Sequence, residues 1–243
     1  MEKLNKSVII LAAGKGTRME SDLPKVLHKV GPKPMVKHVI DAAKKSGCES
    51  INIVVGYGSE KVKKELSDVA NIAFAKQGEQ LGTGHAVQQA IPLINNQDMV
   101  IILYGDVPLI KAETLKTLIK NTPKNGIGLL TVDMQVPTGY GRIVRENNEI
   151  VRIVEEKDAS EIEKAITEVN TGILAANGEN LKLWLSEISN SNAQNEYYLT
   201  DIIEIAKSKG SSIVSSQPSS EIEVMGANTK AQLLELETEY NKE

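Results

Sequence analysis

Cysteine, histidine and aromatic residues are scarce in this sequence of 243 residues. The single cysteine, Cys48, excludes an internal disulfide and fits a reducing compartment. Aromatic residues make up 3% of the chain, so we expect no base-stacking surface for nucleic acid and a core built from aliphatic side chains. The three histidines show no spacing typical of metal ligands.

A strong charge imbalance and long apolar runs are also absent from the sequence. With 28 basic and 32 acidic residues the formal net charge is -4, so neither nucleic acid nor an anionic membrane is an expected partner. No apolar run approaches the length of a membrane span, and the first residues do not form a charged and then apolar leader. We therefore expect a cytoplasmic protein.

One stretch near the N-terminus joins an apolar run to a glycine-rich loop. It consists of Leu11, Ala12, Ala13, Gly14, Lys15, Gly16, Thr17, Arg18 and Met19. The preceding run, residues 7–11, is typical of a strand buried on both faces of a parallel sheet. The alanines let a ligand approach the backbone, the glycines allow N–H groups to point into one concavity, and the lysine and arginine supply positive charge. The stretch therefore predicts a phosphate-binding loop.

Two common glycine motifs do not fit this loop. A Walker A loop has four residues between its glycines, whereas one residue separates Gly14 from Gly16. A dinucleotide-binding loop needs a third small residue that opens a helix, but this chain has Met19 there and a proline at position 24. A plain turn between a strand and a helix remains the alternative on local grounds.

Strand-like and helix-like patterns alternate along the first 134 residues. After the loop, further apolar runs occupy residues 51–55, 72–75, 99–103 and 127–134, with helical patterns between them. This alternation predicts an α/β fold with a Rossmann-like, mostly parallel mixed sheet. From about residue 136 the pattern becomes that of a hairpin around Asn147 and Asn148, which predicts a smaller second lobe.

Two later strand-like runs are also followed by polar loops. The residues concerned are Gln77, Gly82 and Thr83 after the run at 72–75, and Tyr104, Gly105 and Asp106 after the run at 99–103. Because the carboxyl ends of parallel strands meet at one edge of a sheet, these loops and the glycine-rich loop should share a crevice. A glutamine amide suits the imide edge of uracil, and a carboxylate suits Mg²⁺. Helix entry and turn capping are the plain alternatives.

The glycine-rich stretch and residues 23–27, Leu-Pro-Lys-Val-Leu, resemble the signature of the sugar-1-phosphate nucleotidylyltransferases. More narrowly, they resemble the uridylyltransferase domain of the bacterial bifunctional N-acetylglucosamine-1-phosphate uridylyltransferase/glucosamine-1-phosphate acetyltransferases. Similar motifs recur to about residue 230. The resemblance implies the nucleotide-diphospho-sugar transferase fold and Mg²⁺-dependent transfer of uridylyl from UTP to N-acetylglucosamine 1-phosphate. The products would be UDP-N-acetylglucosamine, a precursor of the cell wall and lipopolysaccharide, and pyrophosphate.

The resemblance also implies roles for individual residues. Arg18 and Lys25 would be catalytic, and Asp106 and Asn228 would hold Mg²⁺. Arg18 would neutralise the departing phosphates and Lys25 the α-phosphate. The implied substrate-binding residues are Leu11, Ala12, Ala13, Gly14, Lys25, Gln77, Gly82, Thr83, Tyr104, Gly105, Asp106, Gly141, Glu155, Asn170, Thr200 and Asn228.

The sugar would be held by the second lobe. The motifs around Gly141, Glu155 and Asn170 match the family, so these residues would bind the hydroxyls and acetamido group, with Thr200 near the sugar phosphate. From the residues alone, the glutamate could be a solvated acid, the asparagine a turn residue and the threonine a helix cap. The implied domain is 1–227, with a nucleotide-binding part at about 1–135 and a sugar-binding lobe at about 136–227.

The chain departs from the family pattern at a few positions. Around the second metal ligand, Met225, Thr229 and Lys230 replace the usual residues, and Pro32 stands where glycine is usual. The ligand itself is retained, so these changes concern its surroundings. Two alternatives stay open: a nucleotidylyltransferase for another sugar phosphate or base, and a sugar-nucleotide-binding module without turnover.

In the bifunctional enzymes a linking helix leads into a β-helix of hexapeptide repeats, which carries the acetyltransferase and most of the trimer contact. Residues 228–243 match the start of that helix, and no hexapeptide repeat occurs in the sequence. We therefore expect a chain that transfers uridylyl but not acetyl groups, and that is a monomer or a weak oligomer.

Overall fold

The computed structural model describes residues 5–242. The strands are β1 (Lys6–Ala12), β2 (Lys29–Val30), β3 (Lys33–Pro34), β4 (Ser50–Val55), β5 (Ile72–Lys76), β6 (Met99–Tyr104), β7 (Ile127–Asp133), β8 (Arg142–Glu146), β9 (Glu149–Val154), β10 (Glu168–Asn177) and β11 (Ile213–Ser216). The α-helices are α1 (Met35–Lys45), α2 (Ser59–Glu65), α3 (Thr83–Ala90), α4 (Ala112–Asn121), α5 (Glu161–Lys164), α6 (Gly178–Leu185), α7 (Asp201–Ser208) and α8 (Lys230–Tyr240). Short 3₁₀ segments occupy Thr17–Met19, Lys25–Leu27, Ile91–Leu93 and Glu221–Val224.

A mixed sheet organises these elements. Its main path runs in the order β11-β7-β10-β6-β1-β4-β5, and β8 and β9 extend it from β10. The pairs of β1 with β4 and β6, of β4 with β5 and of β11 with β7 are parallel, whereas β10 runs antiparallel to both β6 and β7. The prediction of a Rossmann-like, mostly parallel mixed sheet is therefore confirmed.

The core lies on both faces of the sheet. In β1, Val8 and Ile10 pack toward α1, α2 and α4, whereas Ile9 and Leu11 pack toward α3, α6 and α7. Val8, Ile9 and Ile10 are fully buried, and Leu11 is nearly so. In a strand that is buried on both faces, apolar and polar residues do not alternate, which explains the continuous apolar run in the sequence.

The β8–β9 hairpin stands beside this sheet and carries part of the second lobe. Asn147 and Asn148 form its turn with φ of 48° and 67°, a left-handed pair that asparagine tolerates. The hairpin joins the sheet through Arg142, which pairs with Val169 of β10. The lobe boundary near residue 136 stays a prediction, although β10 and β11, which follow it, lie in the main sheet.

Helix α8 packs against β2 and the start of α1. A small apolar cluster unites Val30, Met35, Ala227 and Leu236. The turn between β2 and β3 fits closely under the helix, because a Cβ on Gly31 would lie 2.2 Å from the Tyr240 ring. No helix within residues 5–242 is long and apolar enough to cross a membrane.

Candidate active site

The glycine-rich loop after β1 brings Lys25 close to the sheet edge. Gly16 adopts φ of +62°, a conformation that favours glycine, and a Cβ there would lie 2.7 Å from Cβ of Lys25. Met19 is fully buried and anchors the loop, whereas Arg18 is exposed. The glycine therefore serves two purposes, because it makes the turn and leaves room for the lysine.

Lys25 lies at the centre of the site. Its Nζ donates a hydrogen bond to Oδ2 of Asp106 over 2.6 Å and another to Oδ1 of Asn228 over 2.9 Å. The Lys25 and Asp106 side chains are only 17% and 10% exposed. A cation and two oxygen acceptors thus converge where β6 ends and where the chain approaches α8.

The two acceptors fit the chemistry of a Mg²⁺ site. Asp106 and Asn228 supply a carboxylate and an amide oxygen, both hard ligands, and both already face one positive charge. Within residues 5–242 no group of three histidine, cysteine, aspartate or glutamate side chains could hold a metal ion. A two-ligand site suits Mg²⁺, since this ion usually keeps several waters and takes further oxygens from phosphates.

The backbone around Asp106 and Asn228 is held tightly. Ala227 N–H donates to the carbonyl of Asp106 over 3.1 Å, and a Cβ on Gly226 would lie 3.1 Å from Oδ2 of the same aspartate. Asn228 N–H donates to Oε1 of Gln232 over 2.9 Å. Glycine at position 226 therefore lets the two metal-ligand candidates approach each other.

Two of the sequence departures near Asn228 have structural roles. The hydroxyl of Thr229 accepts a hydrogen bond from Gln232 N–H over 3.2 Å and so caps α8. Lys230 forms an exposed ion pair with Glu20 over 3.2 Å. Pro32 lies in the exposed turn between β2 and β3 and lines none of the cavities of the site.

Three cavities meet around these residues. The loop cavity, of about 240 Å³, is lined by Leu11, Ala12, Ala13, Gly14, Lys25, Val26, Gln77, Gln80, Gly82, Thr83, Ala86, Tyr104, Asp106 and Glu196. The bridging cavity, of about 320 Å³, is lined by Arg18, Lys25, Tyr104, Asp106, Val107, Thr138, Gly139, Tyr140, Thr171, Val224, Gly226, Asn228 and Gln232. The lobe cavity, of about 230 Å³, is lined by Thr83, Tyr104, Gly139, Tyr140, Gly141, Glu155, Asn170, Thr171, Gly172 and Thr200.

Tyr104 lines all three cavities. Its ring packs over Gly172, where φ is +81° and a Cβ would lie 2.4 Å from the ring. Burial raises the pKa of its hydroxyl far above the ordinary value, and the charges of Glu155 and Asp106 add to the shift. The side chain is therefore uncharged, and it lies between the loop cavity and the lobe cavity.

In the loop cavity, Gln77 is almost fully buried and its orientation is fixed. Its side-chain Nε2 lies 3.1 Å from the carbonyl oxygen of Gly82 and 3.1 Å from Nδ1 of His85. Its Oε1 has no hydrogen-bond partner within residues 5–242, so it is available as an acceptor. Gly82 adopts φ of +113° and is enclosed by the backbone of Tyr197, whose N–H donates to the carbonyl of Leu81 over 2.8 Å.

In the lobe cavity, Glu155 and Asn170 present polar atoms. Thr200 donates its hydroxyl to Oε1 of Glu155 over 2.8 Å, and Oδ1 of Asn170 accepts from Gly172 N–H over 2.9 Å. The amide –NH₂ of Asn170 remains available as a donor. Burial raises the pKa of Glu155, and the negative charges of Asp158 and Glu196 raise it further, against the bond from Thr200.

The chain matches the MobA-like NTP transferase domain over residues 8–162, which is more than half of its length. It belongs to this family. The match includes the glycine-rich loop, Lys25, Asp106 and every lining residue of the loop cavity except Glu196, and it ends within α5.

Solved structures with the same fold include other nucleotidyltransferases. A UDP-glucose pyrophosphorylase in complex with UDP-glucose is 20% identical, with a TM-score of 0.79 over 98% of this chain and 99% of that chain. A nucleotidyl transferase from Methanothermobacter thermautotrophicus is 14% identical, with a TM-score of 0.68 over 98% of both chains. A Bacillus anthracis protein assigned as a glucose-1-phosphate thymidylyltransferase, in complex with sucrose, is 20% identical, with a TM-score of 0.77 over 98% and 96%. These likenesses support the fold.

The structure of this NTP transferase family member brings together most residues that the sequence singled out. Fifteen of them line at least one of the three cavities: Leu11, Ala12, Ala13, Gly14, Arg18, Lys25, Gln77, Gly82, Thr83, Tyr104, Asp106, Gly141, Glu155, Asn170 and Asn228. Thr200 also lines the lobe cavity, and it contacts Glu155. Gly105 lines none of them; its N–H donates to the carbonyl of Leu11 over 2.9 Å and so fixes the end of β6 beside β1.

Sequence reasoning missed several residues that line the cavities. Gln80 and Glu196 line the loop cavity, and Gln232 lines the bridging cavity. Gln80 belongs to the same loop as Gln77, so its position in that loop was a usable signal. Glu196 and Gln232 reach the site from distant segments, and no local pattern indicates either of them.

Proposed function

We propose that the protein catalyses Mg²⁺-dependent transfer of a uridylyl group from UTP to N-acetylglucosamine 1-phosphate. The products are UDP-N-acetylglucosamine and pyrophosphate. The observation that carries the proposal is the contact of Lys25 with Asp106 and Asn228 at the junction of the loop and bridging cavities. Membership of the NTP transferase family supports nucleotidyl transfer, and the sequence resemblance supports the choice of nucleotide and sugar.

UTP binds in the loop cavity, with its base near Gln77 and its phosphates near the glycine-rich loop. Oε1 of Gln77 accepts the N3–H of uracil, since its Nε2 is engaged by Gly82 and His85. Cytosine has an acceptor at N3, so with CTP this nitrogen and Oε1 of Gln77 would be two acceptors facing each other. The orientation of this one amide therefore supports UTP over CTP.

N-acetylglucosamine 1-phosphate binds in the lobe cavity, with its phosphate directed toward Tyr104 and Lys25. The –NH₂ of Asn170 donates to the acetamido carbonyl, and the carboxylate of Glu155 accepts from sugar hydroxyls. A site that hydrogen-bonds a substrate rejects an analogue that lacks the partner group, because its buried polar groups are then left unpaired.

In the reaction a phosphate oxygen of the sugar phosphate forms a bond to the α-phosphorus of UTP. The bond from that phosphorus to the bridging oxygen breaks, and pyrophosphate leaves with the electron pair. The nucleophile needs no general base, because the second pKa of a phosphate monoester is about 6. Lys25 neutralises charge at the α-phosphate and Arg18 at the leaving phosphates, so catalysis rests on positioning and electrostatics. Bound Mg²⁺, held by Asp106 and Asn228, would add positive charge to the reacting phosphates.

A pyrophosphate-release assay with purified protein tests this function. The assay crosses UTP, dTTP and CTP with N-acetylglucosamine 1-phosphate, glucosamine 1-phosphate and glucose 1-phosphate, with Mg²⁺ and with EDTA. We expect fastest release with UTP and N-acetylglucosamine 1-phosphate, and none with EDTA. Faster turnover of another pair would overturn the specificity, and no release from any pair would favour a binding module.

A further inference from the structure

Tyr57 lies in a short loop, residues 56–58, that follows β4 beside the glycine-rich loop. Its N–H donates to the carbonyl of Ala13 over 3.2 Å. Nζ of Lys15 lies 5.7 Å from the centroid of the Tyr57 ring, within the range of a cation–π contact. No motif in the sequence indicated a role for this loop.

The loop is packed against the glycine-rich loop and against residues 23–27. A Cβ on Gly56 would lie 2.8 Å from the carbonyl oxygen of Ala13. Gly58 adopts φ of +65°, and a Cβ there would lie 2.4 Å from Cγ of Pro24. Because both flanking glycines fit only without side chains, the backbone of Tyr57 is fixed relative to Ala13 and Pro24.

Lys15 is exposed and has no ion pair or side-chain hydrogen bond within residues 5–242, so the ring is its contact there. A free lysine side chain samples many rotamers, and its charge is then spread over a wide volume. An aromatic partner restricts the side chain without neutralising it. By contrast, Lys63 on α2 is paired with the carboxylate of Glu60 over 3.0 Å.

We propose that Tyr57 is a positioning residue for Lys15. The ring holds the ammonium beside the glycine-rich loop, where it contacts the terminal phosphates of the bound nucleoside triphosphate. Lys15 is then a third phosphate-binding cation beside Arg18 and Lys25. This inference rests on the proposed function only in requiring a nucleoside triphosphate as substrate.

Binding of UTP to the full chain, measured by calorimetry with Mg²⁺, tests the contact, together with KM and kcat for UTP. We expect Lys15→Met to raise Kd and KM about tenfold while kcat changes less than about threefold, because the charge acts mainly in binding. Tyr57→Leu should raise both constants about threefold, as expected for an exposed cation–π contact. Tyr57→Phe should recover most of that loss, since it keeps the ring.

A double variant separates positioning from general packing. If Tyr57 acts through Lys15, then Lys15→Met with Tyr57→Leu binds UTP no more weakly than Lys15→Met alone. Additive losses would overturn the inference, and so would equal losses in Tyr57→Leu and Tyr57→Phe. Lys63→Met is the control for loss of one positive charge that lines none of the three cavities, and it should bind like the wild type.

The same measurements distinguish this inference from the proposed function. If the wild type binds no nucleoside triphosphate, both the proposed function and the inference are refuted. If the wild type binds UTP and Tyr57→Leu binds it equally well, only the inference fails.

Discussion

The side chain of Lys25 joins parts of the chain that lie far apart in sequence. Its partners Asp106 and Asn228 are 81 and 203 positions away. At Lys25 the ammonium is largely buried, paired with a carboxylate and adjacent to two of the three cavities. A charge held in this way acts on a reacting phosphate without costly reorganisation.

Replacing Lys25 with methionine should therefore affect catalysis far more than folding. For Lys25→Met we expect kcat to fall at least about 100-fold, because a charge directed at the α-phosphate acts mainly in the transition state. The free energy of unfolding should fall by no more than about 2 kcal/mol, from loss of the part-buried hydrogen bonds of Lys25. Pyrophosphate release and urea unfolding measure the two effects, with Lys63→Met as a surface control. An unfolded variant or an unchanged kcat would contradict the assignment.

Asp201 at the start of α7 is an acid in an acidic environment. Its pKa is raised to about 6, first by burial and then by the charges of Glu155, Glu204 and Asp158. An acid with a raised folded-state pKa binds its proton more tightly in the folded than in the unfolded protein. The stability that protonated Asp201 contributes is therefore fully present below the pKa of the unfolded state. It is lost as the pH rises through the pKa of the folded state.

The variant Asp201→Asn should remove this pH dependence. Between about pH 4 and about pH 6 the wild type should lose stability relative to the variant, and the difference should level off above about pH 7. We expect a plateau of about 1 kcal/mol, since water screens a partly exposed carboxylate. Unfolding free energies measured across this pH range check the result. Parallel curves for the two proteins would refute it.

At the scale of elements, the conformation of the glycine-rich loop depends on glycine at position 16. For Gly16→Ala we expect a loss of about 1–2 kcal/mol from the left-handed backbone, and a fall in kcat of about tenfold or more as the new methyl group displaces Lys25. Thermal unfolding and steady-state kinetics measure the two effects.

Gly210 offers a matched control for that variant. It also adopts a positive φ, of +76°, but no atom lies within 4 Å of a Cβ built there. Gly210→Ala should therefore show the backbone cost with an unchanged kcat. If the two variants lose activity equally, the contact between position 16 and Lys25 is not responsible.

The elements that the sequence predicts well are those with local signals. The strand β1 reads as a continuous apolar run because both of its faces are buried, and Pro34 and Gly47 mark the limits of α1. The signal for the β8–β9 turn is also local, because asparagine tolerates the positive φ that Asn147 and Asn148 adopt there.

Other features depend on contacts that no local pattern encodes. The position of β10 between β6 and β7, antiparallel to both, follows from the packing of distant strands. Sequence reasoning also did not predict α6. At the site, strand ends predicted that Asp106 would lie near the glycine-rich loop, but only the family resemblance indicated Asn228, which approaches along the last segment before α8.

At the scale of the whole molecule, the exposed apolar surface is dispersed. Within residues 5–242 its most exposed members are Val136 in the loop after β7, Ile162 on α5, Leu183 on α6 and Leu234 on α8. A stable interface needs a contiguous patch with well-packed contacts. We expect a monomer or a weak dimer by light scattering at micromolar concentration. A stable trimer would refute the expectation.

The two hydrogen bonds of Lys25 also imply competition between cations. A divalent ion that binds Oδ2 of Asp106 and Oδ1 of Asn228 must displace the ammonium that those oxygens accept. In the proposed reaction the nucleotide would resolve the conflict, because its α-phosphate would offer the lysine another anion. Without nucleotide, Lys25→Met should therefore bind Mn²⁺ more tightly than the wild type, as measured by water-proton relaxation, although it turns over more slowly. Equal or weaker Mn²⁺ binding by this variant would show that the two cations do not exclude each other.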